Sequence, residues 1–173
     1  MKDIELKLLS ELMKDSRRSD RELAKAIGTS QPTVSRMISR LEKEGAIKEY
    51  TMIPDFSKVG FEIVALTFVK FEQPPTAEKL EELRRIAHRL EKEAFIPTIM
   101  AMSGMGLGYD RIIVSFHKDY SSYVQFVKMS KQLSTHGISK MDSFVINLHD
   151  RGHYQSLTFT ALAKFLLTLQ KKE

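Results

Sequence analysis

The feature that most restricts the fold is a pair of short amphipathic segments near the start of the chain, joined by only three residues. The stretch Ser19-Asp20-Arg21-Glu22 forms a capping box, which predicts a helix beginning there. Gly28 ends that helix, and Ser30 is expected to cap a third helix that stops at Glu44. Two short helices with so tight a connection are typical of a helix-turn-helix.

Apolar residues at helical spacing predict that three helices share one core, the first of them capped by Asp3. A short extended segment follows at residues 47–53, interpreted as a small wing or a linker, and Pro54-Asp55 ends it. The predicted buried residues are Ile4, Leu8, Leu9, Leu12, Met13, Leu23, Ala24, Ile27, Val34, Met37, Ile38 and Leu41.

The outer face of the third helix is polar and carries no acid from Ser30 through Leu41. Hydroxyl, amide and guanidinium groups on such a helix can bond base edges or phosphates in the major groove of double-stranded DNA. A solvated polar face is the ordinary alternative, but the helix-turn-helix spacing favours DNA binding. The predicted DNA-binding residues are Ser30, Gln31, Thr33, Ser35, Arg36, Ser39 and Arg40, with Arg17, Arg18 and Arg21 as phosphate contacts.

These residues, with the stretches at 40–50 and 54–61, resemble the leucine-responsive and asparagine-synthetase regulator (Lrp/AsnC) family. The matching stretches read Asp3-Ile4, Ser19-x-x-Glu22-Leu23-Ala24, Arg40-Leu41-Glu42-Lys43-Glu44-Gly45-Ala46-Ile47-Lys48-Glu49-Tyr50 and Pro54-Asp55-Phe56-Ser57-Lys58-Val59-Gly60-Phe61. The resemblance implies a transcriptional regulator with a second domain for dimerisation and small-molecule response. It also implies a homodimer, extending to a tetramer or octamer, and an amino acid as the first expected effector.

The second half of the chain predicts a ferredoxin-like βαββαβ sandwich, independently of the resemblance. The predicted elements are a strand Ile63–Phe71, a helix from Thr76 to about Lys92, strands Phe95–Met102 and Arg111–His117, a helix from Asp119 to about Leu133 and a strand Met141–Leu148. The predicted fold class is α+β, with a (winged) helix-turn-helix before the sandwich and an extra C-terminal helix after it. The predicted domains are 1–55 (helix-turn-helix), 56–61 (linker), 62–153 (dimerisation and effector domain) and 154–173 (helical extension).

The C-terminal extension exceeds what the resemblance implies. Ser156 is expected to cap a helix whose apolar stripe must be covered by the chain's own sheet, a partner subunit or a membrane surface. We expect it to strengthen or rim a sheet-to-sheet contact between two protomers. The stripe comprises Ala161, Leu162, Phe165, Leu166 and Leu169.

The connection between the second and third predicted strands departs from the family pattern. The resemblance implies an effector site there, but the stretch 103–110 has extra glycines and none three positions before Asp110. The alternative is a hairpin whose glycines serve turns with positive φ. The candidate effector-binding residues are Met102, Gly104, Gly106, Gly108, Tyr109 and Asp110.

Composition and motifs argue against other function classes. The chain has no cysteine, so we expect no disulfide and a cytoplasmic location, and no apolar stretch is long enough for a membrane span. His149, Asp150 and His153 lack a supporting third ligand, so no metal or other cofactor is predicted. The net charge is +5, but residues 1–55 carry 11 basic and 10 acidic side chains. The local clustering of basic residues is therefore better evidence for DNA binding than the total charge.

The sequence therefore predicts a sequence-specific, DNA-binding transcriptional regulator that is dimeric or higher and is modulated by a small metabolite. It predicts no enzyme, since no nucleophile motif such as Gly-x-Ser-x-Gly occurs. Two alternatives stay open. One is an architectural DNA-binding protein that responds to no metabolite. The other is a metabolite-binding subunit or enzyme built on the ferredoxin-like half.

Overall fold

The computed structural model describes residues 1–94, 97–132, 137–150, 152 and 157–169, which belong to two units of packed residues. The first unit combines Met1–Ile53 with residues 157–169, and the second unit is Pro54–Gly152. The domain limits at 55, 61 and 153 stay predictions, because packing alone does not show which segment folds by itself. Within the described residues, no helix is both long and apolar enough to cross a bilayer.

The first unit contains the three predicted helices, α1 (Asp3–Lys14), α2 (Asp20–Ile27) and α3 (Gln31–Lys43). The capping box of α2 is confirmed: Ser19 Oγ accepts from the Glu22 amide at 3.3 Å, and the Glu22 carboxylate accepts from the Ser19 amide at 2.8 Å. Gly28 ends α2 with φ 73°, a left-handed conformation that glycine adopts at little cost.

The caps of the other two helices differ from the prediction. Asp3 is the first residue of α1 and Lys2 is its N-cap, because the Glu5 carboxylate accepts from the Lys2 amide at 2.7 Å. Ser30 is the N-cap of α3, but its hydroxyl is hydrogen-bonded to the Thr33 hydroxyl at 2.8 Å instead of capping an amide.

The core of the three helices is the predicted one except for Met13, which is half-buried and is not part of it. Its fully or nearly buried members are Leu8, Leu12, Leu23, Ala24, Ile27, Val34, Met37 and Leu41. Ile4, Leu9 and Ile38 pack against this core and are partly buried. Residues 47–53 form no β-strand, but Ile47 packs on the core and the Tyr50 hydroxyl donates to Glu42 Oε1 at 3.0 Å.

The C-terminal helix α6 (Thr160–Leu166), followed by a 3-10 turn Leu167–Leu169, packs against α1. Ala163 is fully buried, and its carbonyl oxygen accepts from Ser10 Oγ at 2.7 Å. Leu162 and Phe165 are more than half exposed, so the predicted stripe is not the packing face. A small residue at 163 lets the helix backbones approach closely. What covers the predicted stripe stays a prediction, and Ser156, the predicted cap of α6, lies outside the described residues.

The second unit has the predicted βαββαβ order, and its antiparallel sheet has the strand order β2-β3-β1-β4. The elements are β1 (Ile63–Phe71), α4 (Ala77–Ala94), β2 (Thr98–Gly106), β3 (Tyr109–His117), α5 (Tyr120–Gln132) and β4 (Ile138–Asn147). β2 and β3 extend further toward each other than predicted, because their pairing continues through the glycine segment to Gly106 and Tyr109. Phe95 and Leu133, two predicted element ends, lie outside the described residues.

The two faces of the sheet differ in burial. On β1, Ile63, Ala65, Thr67, Val69 and Phe71 are buried beneath the helices, while the residues between them are half-buried. We call the opposite side the open face. It carries Val64, Leu66 and Phe68 on β1, Ile112 and Val114 on β3, and Phe144 and Ile146 on β4.

The helices of this unit bury only part of the apolar stripes that the sequence predicts for them, which are Leu80, Leu83, Ala87 and Leu90 on α4 and Tyr123, Val124 and Val127 on α5. On α4, Leu83 is buried, Leu80 is half-buried and Ala87 is exposed, and the side chain of Leu90 lies outside the described part. On α5, Phe126 and Ser130 are buried, whereas Tyr123, Val124 and Val127 are half-buried. The Phe126 ring contacts the buried His117 ring with centroids 5.3 Å apart, which orients α5 on the sheet.

Candidate nucleic-acid interface and hairpin site

The polar face of α3 is held outward by the apolar residues on its other side. Val34, Met37 and Leu41 are buried, so the positions between them face solvent. Thr33 is half-buried and the rest of the predicted set on this helix is exposed. The exposed members are Ser30, Gln31, Ser35, Arg36, Ser39 and Arg40.

Arg36 is the basic residue of this face that has no acidic neighbour. Its Nε donates to the Pro32 carbonyl oxygen at 3.1 Å, which aligns the side chain along the first turn of α3. Among the described residues, no carboxylate lies within ion-pair distance of Arg36, Arg17 or Arg21. These three guanidinium groups therefore keep their charge available to an anionic partner.

Two other predicted arginines are paired within the first unit. Arg40 forms an ion pair with the buried Glu5 and a longer one with Glu44, at 3.8 Å from Nε to Oε1. Arg18 pairs with Glu11, whose carboxyl pKa lies below its usual value because Lys14 and then Arg18 donate hydrogen bonds to it. Arg40 thus links α3 to α1, and Arg18 links the connection before α2 to α1. Both ion pairs are structural contacts, whether or not the two arginines also contact DNA.

Sequence reasoning missed Glu5 as the partner of Arg40. The signal was present, because Glu5 shares the spacing i, i+3 and i+7 with the buried Leu8 and Leu12. A carboxylate on that stripe must be buried, and a buried carboxylate needs donors. The Lys2 amide and Arg40 are those donors.

The predicted effector region is an exposed β-hairpin. Its turn is Leu107-Gly108, with φ of 52° and 78°, and positive φ at both central positions suits the twist of the flanking strands. Gly104 and Gly106 lie on β2 just before the turn, and Met102 is 57% exposed. The glycine at 108 thus serves the turn itself, as the hairpin interpretation predicts.

Tyr109 joins a polar cluster at one end of the sheet. Its hydroxyl donates to the Asp142 carboxylate and accepts from Lys140 Nζ at 2.9 Å. Lys140 also pairs with Asp142 at 2.7 Å, so the pKa of Lys140 is raised and that of Asp142 is lowered, each mainly by this contact. The cluster ties β3 to β4 across β1.

Asp110 fastens β3 to the end of β1. Its Oδ2 accepts from the Phe71 amide at 2.9 Å, and its Oδ1 pairs with Lys70 Nζ at 3.2 Å. The pKa of this carboxyl is lowered, chiefly by the Phe71 amide and then by Lys70. Both carboxylate oxygens therefore already have partners within the chain.

Of the three side chains considered as metal ligands, His149 and Asp150 belong to the described residues. Across the described residues, no group of three histidine, aspartate or glutamate side chains could hold a metal ion. The His149 amide donates to Asn147 Oδ1, and Asp150 accepts from the Gly152 amide. His153 lies outside this part of the chain.

Comparisons with known proteins agree with the helix-turn-helix. A family model described as winged helix-turn-helix DNA-binding matches residues 1–48. An uncharacterised HTH-type transcriptional regulator of Pyrococcus abyssi is 28% identical over 83% of this chain and 90% of its own. The HTH-type transcriptional regulator LrpC of Bacillus subtilis is 43% identical over 35% of this chain and 42% of its own.

Solved structures share the fold over nearly the whole chain. An AsnC family transcriptional regulator from Agrobacterium tumefaciens superposes with a TM-score of 0.69 at 19% identity, covering 94% of this chain and 99% of its own. A transcriptional regulator from Neisseria meningitidis in complex with L-Met gives 0.69 at 20% identity, with the same coverage. Together with the HTH-type transcriptional regulators matched by sequence, these likenesses show that the chain has the fold of the Lrp/AsnC transcriptional regulators and is similar to them in its helix-turn-helix.

Proposed function

We propose that the protein is a sequence-specific transcriptional regulator that binds double-stranded DNA as a dimer and responds to an amino acid. The observation that carries the DNA-binding part is the exposed face of α3 from Gln31 to Arg40, a stretch that combines hydroxyls, Gln31 and Arg36 and contains no carboxylate. A helix of this width fits the major groove, where arginine can bond guanine in a bidentate manner.

The predicted contacts divide into two groups by their surroundings. Arg36, Gln31 and Ser35 are free of acidic partners and lie on the exposed side of α3, which suits base reading. Arg17 and Arg21 precede or begin α2 and are exposed, which suits phosphate contacts that set the register on the duplex. Arg18 and Arg40 have ion-pair partners, so we assign them lesser roles at the DNA.

Dimerisation is proposed to occur through the open face of the second unit. Phe144 is 64% exposed and lies opposite the half-buried Leu66 on the neighbouring strand. An apolar sheet face of this kind is stable in water when a second sheet covers it, and two copies related by a twofold axis cover each other's equivalent residues. A tetramer or octamer would need a further contact and stays an expectation.

The effector is proposed to bind near the hairpin, around Met102, Gly104, Gly106, Gly108, Tyr109 and Asp110. The L-Met complex of the Neisseria meningitidis protein supports an amino acid as the ligand class. The pairing of Asp110 with Phe71 and Lys70 favours a second candidate, an architectural DNA-binding protein without an effector, because an incoming ammonium group would have to displace those partners.

Gel-shift titrations on the protein's own upstream DNA and on random DNA would test DNA binding. Replacing a base reader costs about 1–3 kcal/mol on the specific site alone, whereas replacing a phosphate contact weakens both alike. We expect Arg36→Ala to show the first behaviour and Arg17→Ala the second. Arg89→Ala, on the exposed face of α4, is the control and should change neither. Equal losses for Arg36→Ala on both DNAs would remove it as a base reader.

Thermal-shift measurements with a panel of amino acids would separate the two candidates. If an amino acid binds at the hairpin, at least one should raise the melting temperature of the wild type, and Asp110→Ala should reduce that shift. An absence of any shift in the wild type would favour the architectural candidate. Identical shifts in both proteins would mean that Asp110 takes no part in ligand binding and that the hairpin is only structural.

A further inference from the structure

A cavity of about 350 Å³ lies in the second unit, between the sheet and the helices α4 and α5. This volume is within the range of small-molecule sites in proteins. Its walls are mainly apolar and come from both helices and from all four strands. They include Leu80, Leu83, Ile113, Phe126, Met129 and Met141.

Arg111 brings a cation into this apolar space. It lies opposite Val69 in the register of β3 with β1, and Val69 is buried beneath the helices, so Arg111 is on the helix-covered side of the sheet. Its Nε is buried and has no hydrogen-bond acceptor among the described residues. Burial, and then the neighbouring Arg84, lower the pKa of Arg111, as expected for a cation without a counter-charge.

The polar groups around the cavity define what would complement that cation. Arg84 also lines the cavity, and its known partner Glu81 lies at 3.1 Å on the same helix. The other polar lining groups among the described residues are the hydroxyls of Thr98, Ser103 and Ser130. No described carboxylate lines the cavity, so the site offers a counter-charge to an anion and none to an ammonium group.

We propose that this cavity binds a small monocarboxylate with an apolar body and no ammonium group. The carboxylate accepts hydrogen bonds from the Arg111 guanidinium, including the buried Nε, while the apolar body contacts the Leu, Ile, Phe and Met side chains. The site lies within one subunit and shares Met102 with the candidate hairpin site, but none of the hairpin glycines, Tyr109 or Asp110 lines it. It does not depend on the DNA-binding function proposed above.

Methyl NMR of the full chain, labelled with [methyl-13C]methionine, provides a site-specific test with hexanoate as the probe. Met129 and Met141 line the cavity, whereas Met13 and Met37 belong to the first unit. We expect hexanoate to shift the Met129 and Met141 signals saturably and to leave Met13 and Met37 unchanged. Two matched probes share its carbon chain: hexan-1-ol lacks the carboxylate, and norleucine adds an ammonium group.

Three variants test which residues of the cavity bind hexanoate. Arg111→Leu should weaken hexanoate binding about ten- to a hundredfold, the range for losing a hydrogen bond to a charged group. Ala87 on α4 also lines the cavity, so Ala87→Leu keeps Arg111 but narrows the space for the apolar body and should also weaken binding. Arg89→Leu, on the exposed face of α4, should bind as the wild type does. An unchanged circular dichroism spectrum and melting temperature of each unliganded variant show that its second unit is folded.

Several results would overturn the proposal. Unshifted Met129 and Met141 signals at saturating hexanoate would mean that the cavity takes no such ligand. Equal binding of hexan-1-ol would remove Arg111 as the recognising group, and equal binding of norleucine would remove the discrimination against ammonium. If Ala87→Leu binds hexanoate as tightly as the wild type does, hexanoate binds somewhere other than this cavity.

Discussion

At the scale of single residues, the Glu5 carboxylate is the most consequential polar group of the first unit. It is 6% exposed and accepts from the Lys2 amide at the start of α1 and from Arg40 near the end of α3. A buried carboxylate is tolerated because these donors replace water. The Glu5–Arg40 ion pair therefore holds α1 and α3 together. We expect its loss to lower the free energy of unfolding more than it weakens DNA binding.

Arg40→Ala is predicted to lower the free energy of unfolding by about 1–3 kcal/mol, because it leaves the Glu5 carboxylate short of a donor. Arg36→Ala, on the same helix and equally truncated, should change it by less than about 0.5 kcal/mol. Urea denaturation followed by circular dichroism measures both. Equal effects of the two substitutions would mean that the Glu5 pair contributes nothing specific. Glu5→Gln, combined with Arg40→Ala in a double-mutant cycle, isolates the pairwise term.

Asp110 should make stability depend on pH in a defined direction. Its carboxyl pKa is lowered from the ordinary 3.8 in the folded protein, chiefly by the Phe71 amide. A lowered pKa stabilises the fold above the ordinary value, and this contribution disappears as the pH falls through the folded-state pKa. Melting temperatures of wild type and Asp110→Asn should therefore differ at neutral pH and converge in acid. A difference that grows on acidification would contradict the assignment.

At the scale of elements, the contact between α1 and α6 depends on a small side chain. Ala163 is fully buried, so Ala163→Leu has no room and is predicted to cost about 1–3 kcal/mol. Ala161→Leu is a matched control, because Ala161 is exposed on the same helix. Thermal unfolding compares the two, and limited proteolysis should cut the C-terminal segment faster in Ala163→Leu alone. Similar behaviour of both variants would remove this contact from the fold's stability.

Local signals in the sequence predicted the elements well, and tertiary packing decided what they missed. The capping box at Ser19 and the limits of β1 at Ile63 and Phe71 follow from short-range chemistry and were predicted correctly. The contact of α6 with α1 was not predicted, because its buried residue is the alanine at 163, which lies outside the predicted apolar stripe. Arg111 was overlooked, although it alternates with the buried-face positions Ile113 and Ser115.

At the scale of the whole molecule, assembly is predicted to depend on the open face. Phe144→Lys places a charge where two sheets are proposed to meet, so the mass in solution should fall from that of a dimer to that of a monomer. Met52→Lys, at an exposed apolar residue of the first unit, should leave the dimer intact. Light scattering after size exclusion gives both masses. A dimeric Phe144→Lys protein would place the subunit contact elsewhere.

The hydrogen bond from Ser10 to Ala163 joins residues 153 positions apart in the chain. During synthesis, α1 leaves the ribosome long before α6 exists, and the whole second unit is made in between. Contacts between such distant residues form late, because closing so long a loop costs conformational entropy before the contact can stabilise the fold. A nascent chain therefore presents an α1 surface that stays uncovered until translation has passed residue 163.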